Sequence, residues 1–256
     1  MLRNLMRLSP FLLTFNIRCG TLSMFAAALA ISGCARQTTV TAEMVPRSLK
    51  AINLEETLSR RDELMMAYSL TSYDVQNKAV AVVNGGWGVA SIKKGQVINL
   101  QIDSTGTTKQ SGYGLAKPIS LPLPKNGRVV ASLVLIEVDD YEQAKQTVAK
   151  IQKIHNMVAL PIGLLVTAAE VLTPLKYVSA GLVASGVGLQ LVDKLDDDDL
   201  LGQSSVELRE ADVRQKKQRF VRVPAVFSGR HMKDSFDYQL EYDVLLKSAK
   251  IRSARQ

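Results

Sequence analysis

The most regular pattern in this chain is an alternation near its C-terminus. Phe236, Tyr238, Leu240, Tyr242 and Val244 are interleaved with Asp237, Gln239, Glu241 and Asp243. Successive side chains of a strand point to opposite faces, so the pattern predicts an antiparallel strand with one face in a core and one in water. Leu64, Met66, Tyr68 and Leu70 would likewise face one way, with Met65, Ala67, Ser69 and Thr71 facing the other. Residues 129–138 are almost continuously apolar and predict a central strand. Weaker alternation predicts strands at residues 49–54, at 78–83 (closed by Asn84-Gly85-Gly86), over Ile98, Leu100 and Ile102, and at Val206 and Leu208. Residues 220–227 form a further candidate, where Pro224 fits an edge or a bulge.

The period changes after Asp139-Asp140. Ala144, Val148, Ile151 and His155 recur at helical spacing among glutamines and lysines, which predicts an amphipathic helix. Residues 157–192 hold two apolar runs, broken by Glu170 and Pro174. Each is shorter than the roughly 20 residues a membrane span needs, so a helical hairpin packed on a sheet or a partner is expected. Asp196 to Asp199 and Gly202 then lead back to strand pattern. Seven or eight strands without βαβ alternation predict a mainly β, two-sheet antiparallel sandwich, interrupted once by helices over residues 141–195. Trp87 is expected to plug the end of that sandwich.

Charge changes the picture at the N-terminus. The chain carries a net charge of +8, but residues 1–33 contain Arg3, Arg7 and Arg18 and no acid. An apolar run, Met24 to Ile31, follows Arg18 and closes in Ser32-Gly33-Cys34. Such a segment reads as an export signal, and its removal leaves a net charge of about +5. No stripe of basic and aromatic residues marks a nucleic-acid surface, so no nucleic-acid partner is expected. The only cysteines are Cys19 and Cys34, so the exported chain is expected to hold no internal disulfide.

The tetrapeptide Ile31-Ser32-Gly33-Cys34 resembles the lipobox of bacterial lipoproteins. That resemblance implies lipidation of Cys34, cleavage before it, and membrane attachment through the acyl chains. Ala35 and Arg36 follow where an aspartate would imply retention, so the outer membrane, with the domain facing the periplasm, is the implied address. Residues 34–47 are then a polar tether, 48–247 the sandwich, and 248–256 a basic tail suited to phospholipid head groups or to solvent.

The sandwich itself resembles the C2 domain family. Leu135 to Asp140 is similar to that family's strand and acidic turn into its third calcium loop, and Asp198 to Val206 to the acidic exit from it. Asp62-Glu63 is similar to its first acidic loop. The resemblance implies a C2-like sandwich with a helical hairpin inserted in one loop. The carboxylates of Asp139, Asp140, Asp197 and Asp198, with Asp62 added, are hard oxygen ligands of the kind calcium takes. The competing reading has Asp139-Asp140 capping the helix that follows. No catalytic set is evident: Ser185 lacks the frame of a nucleophile elbow, and His155 and His231 have no obvious partners. The expected function is therefore a non-enzymatic binding or scaffold module with an envelope protein partner. A calcium-dependent phospholipid binder and a periplasmic hydrolase are the alternatives.

Overall fold

A computed structural model describes residues 39–55, 60–101, 114–153, 158–159, 173–184, 200–231 and 234–249. Two antiparallel sheets pack face to face. The first contains β1 (Thr39–Asn53), β4 (Val97–Asn99), β5 (Ile119–Leu123), β9 (Phe220–His231) and β10 (Asp234–Ala249). Its order is β4-β1-β10-β9, with β5 also paired to β1. The second contains β2 (Asp62–Tyr73), β3 (Ala79–Ile92), β6 (Arg128–Glu137), β7 (Val158–Ala159) and β8 (Leu200–Arg209), in the order β7-β3-β2-β6-β8. The mainly β, sandwich-like architecture expected from the alternation is present.

The core between the sheets is filled by the predicted faces. Tyr238, Leu240, Tyr242 and Val244 meet Leu64, Met66, Tyr68 and Leu70, all buried. At roughly 1.5–3 kcal/mol for each large apolar side chain removed from water, this layer is the main source of stability. The opposite face of the second sheet is covered by α1 (Tyr141–Lys153) and α2 (Pro174–Ala184). There Ala144, Val148 and Ile151 of α1, and Val178 and Leu182 of α2, join Met65, Ala67, Val134 and Ile136. That second layer explains why β2 and β6 are buried on both faces. Among the described residues, no helix is long and apolar enough to cross a membrane.

Several boundaries differ from expectation. β1 begins at Thr39, so residues 39–47, expected as tether, are strand; they pair with β10 from Thr39↔Ala249 onward. The alternation of Val40, Ala42 and Met44 with Thr39, Thr41 and Glu43 was present, but weak beside the polar composition of the segment. β10 likewise runs two residues into the expected basic tail. β3 does not end at Asn84-Gly85-Gly86. A Cβ on Gly85 would stand 2.2 Å from the Tyr68 ring, and one on Gly86 would stand 3.1 Å from Ile151. Those glycines are mid-strand positions that admit a ring on one face and α1 on the other. Trp87 therefore lies within β3, fully buried, with its indole N–H donating to the Gly114 carbonyl at 3.0 Å. The charged stretch after β8, expected as a connection, is the short helix α3 (Glu210–Lys216). Pro224 falls on β9, the edge strand, as expected.

Candidate functional site

The acidic end of the second sheet is the site the sequence pointed to. Antiparallel pairing puts Leu64 opposite Glu137 and Ile136 opposite Leu200. The chain next to Asp62, to Asp139-Asp140 and to the Asp196–Asp199 run thus reaches one end of three adjacent strands. Asp197 and Asp198 lie outside the described residues, as does Cys34.

The three described carboxylates do different jobs. Asp62 is fully buried and points between the sheets. One of its oxygens accepts the Glu55 amide N–H at 2.8 Å and the Tyr238 hydroxyl. Burial, then the hydrogen bond and charge of Asp62, push the Tyr238 phenol far above its ordinary value. Asp140 caps α1: its side chain accepts the Gln143 amide at 3.0 Å, and its carbonyl accepts the Ala144 amide at 3.0 Å. Asp139 is exposed beside it. Among the described residues, no three His, Cys, Asp or Glu side chains cluster as a metal site would require.

Three polar arrangements were not legible beforehand. On the outer face of the first sheet, Asp243 is buried beneath two arginines. Arg47 Nε lies 2.9 Å from one of its oxygens, and Arg222 Nε lies 3.0 Å from the other. The alternation marked Asp243 as outward-facing, but Arg47 belonged to the expected tether. Under α2, Asn84 donates to the Gly181 carbonyl at 2.8 Å, beside the buried hydroxyls of Ser69, Ser132 and Ser179. Gly181 permits that approach, since a Cβ there would stand 2.4 Å from Asn84 Oδ1.

The third arrangement occupies the opposite end of the sandwich. The Pro124–Gly127 turn, α3 and the start of β9 meet where β1 begins and β10 ends. Glu210 joins them: its amide donates to the Gly127 carbonyl at 2.9 Å, and its carboxylate accepts the Asn126 amide at 3.2 Å and the Arg214 guanidinium. Burial opposes ionisation of Glu210, but these donors outweigh it and hold the carboxyl below its ordinary value. Around this anchor stand the exposed cations Lys125, Arg214, Lys216, Lys217, Arg219 and, on β10, Lys247.

Compared with known proteins, the chain matches no family model, no curated protein and no solved structure.

Proposed function

We propose that this chain is an outer-membrane lipoprotein whose periplasmic sandwich serves as a non-enzymatic binding or scaffold module of an envelope assembly. The observation that carries the reading is the lipobox-like Ile31-Ser32-Gly33-Cys34, standing where an apolar run closes. Its position supports the reading as well, because β1, the first described strand, starts at Thr39, five positions after Cys34. Several acyl chains on one cysteine anchor stably where a single chain would exchange. Cys34→Ser should move the protein from the membrane fraction to the soluble periplasmic fraction with its unfolding midpoint unchanged. A Cys34→Ser protein that stays with membranes through a carbonate wash would remove the lipid anchor from the account.

Calcium binding at the acidic end is the second reading. It is favoured by the register that brings β2, β6 and β8 to that end together. The C2-like likeness belongs with it, and Asp139, Asp197 and Asp198 are its ligands, because Asp62 and Asp140 already accept hydrogen bonds within the fold. Calorimetric titration should give saturable binding that Asp139→Asn and Asp198→Asn both abolish. No heat at millimolar calcium rejects it.

A further inference from the structure

We infer that the end of the sandwich formed by α3, the Pro124–Gly127 turn and the first residues of β1 is a docking surface for the anionic phospholipid head groups of a bilayer. The inference rests on the lipid-anchor reading for its geometry, but not for its test. Four residues lie between Cys34 and Thr39 in the sequence, which makes five Cα-to-Cα steps. At about 3.3–3.6 Å per residue, a lipidated Cys34 would hold the start of β1 within about 18 Å of the membrane surface. β1 is 15 residues long, so the far end of the sandwich stands roughly 50 Å further along it. Electrostatic attraction fades over about 8–10 Å in physiological salt, so only cations at the near end feel a charged surface.

The cations at that end are available. Arg214 pairs with Glu210, and Lys247 with Glu43. Lys125, Lys216, Lys217 and Arg219 are exposed and make no ion pair among the described residues. Glu207, an acid at the same end, is taken up by Arg128 at 2.5 Å and Arg209 at 2.7 Å, which leaves Asp212 as the exposed acid of α3. Two apolar side chains sit among the bases: Val75, at the β2–β3 turn, is 60% exposed, and Phe220, at the start of β9, is 55% exposed. Positive charge with a few apolar contacts, beside the anchor, suits the phosphate-rich surface of a membrane. The opposite end mixes the exposed acids Asp139 and Asp140 with the exposed bases Lys93, Lys94 and Arg230, so its charges offset one another.

The test uses the mature chain carrying Cys34→Ser, so that no acyl chain can bring it to lipid. It should float with phosphatidylcholine vesicles containing about a third phosphatidylglycerol, and not with phosphatidylcholine alone. Salt at about 0.5 M should release it. Each neutralised contact is worth about fivefold in partitioning, so Lys125→Gln, Lys216→Gln and Arg219→Gln together should weaken association about a hundredfold. Neutralising Lys93, Lys94 and Arg230, exposed at the other end, should change it little. No flotation with anionic vesicles, or equal losses from the two triple variants, would overturn the proposal. Failure of lipidation would show separately, in the mass of the native chain. Circular dichroism of every variant confirms that folding is unchanged.

Discussion

At the scale of single residues, the molecule is distinguished by tyrosines whose hydroxyls are closed inside the sandwich. Tyr68 donates to the Lys117 carbonyl at 2.6 Å, Tyr238 to Asp62, and Tyr242 shares a 3.2 Å hydrogen bond with Ser204. Burial raises the phenols of Tyr68, Tyr73, Tyr238 and Tyr242 above the ordinary 10.0. The unfolded chain therefore releases protons above pH 10 that the folded chain keeps, and stability falls as pH rises from there. Each such tyrosine contributes a loss of about 1.4 kcal/mol per pH unit until its folded value is reached. Urea unfolding between pH 9 and about 11.5 should show this steepening; a flat profile would mean that the hydroxyls are wet. Tyr238→Phe leaves the buried Asp62 with one donor fewer and should cost about 1–3 kcal/mol in the same assay. Tyr242→Phe, losing a hydroxyl–hydroxyl bond, should cost less.

At the scale of elements, what the sequence disclosed depended on how one-sided each element is. β10 has one wet face and one dry face, so its period is plain, and its predicted core side is the observed one. The buried residues of α1 are Ala144, Val148 and Ile151, as their spacing required. β3 was cut short because two of its glycines read as a turn, whereas they make room for Tyr68 and Ile151. Gly85→Ala should therefore cost about 1–3 kcal/mol by overpacking, with the loss visible in the thermal midpoint. β1 was cut short because a strand paired on both sides over a mixed face shows little contrast between positions. α3 has too few residues for its period to register; Val213 seats it in the core, and Glu210 ties it to Arg214 one turn on and to the distant Asn126. Glu210→Ala removes the acceptor shared by Asn126 and Arg214, and should cost about 2 kcal/mol at neutral pH. The contribution of Glu210 is present above its ordinary 4.5. It is lost as pH falls through the lower folded value, so the gap between wild type and Glu210→Ala should close in acid.

At the scale of the whole molecule, the two ends of the sandwich differ in chemistry. Helices cover the outer face of the second sheet. The outer face of the first sheet carries charged pairs, with Asp243 held between Arg47 and Arg222. The strands that lead to Asp62 and to Asp139 were legible in the sequence because their apolar patterns are strong, but the burial of Asp62 under Tyr238 was not. Nor was the basic end, because it is assembled from a turn, a seven-residue helix and two strand ends that are distant in the chain. The placement of Thr39 in β1 bears on the proposed anchor, since Thr39 stands five positions after Cys34 in the sequence. The central claim is that Cys34 becomes the lipidated first residue of the mature protein. Intact mass measurement of the protein extracted from membranes tests it directly. The account predicts a chain that has lost residues 1–33 and gained the mass of a diacylglycerol and an amide-linked acyl chain on Cys34. A mature chain beginning at another residue, or Cys34 present as a free thiol, would contradict it.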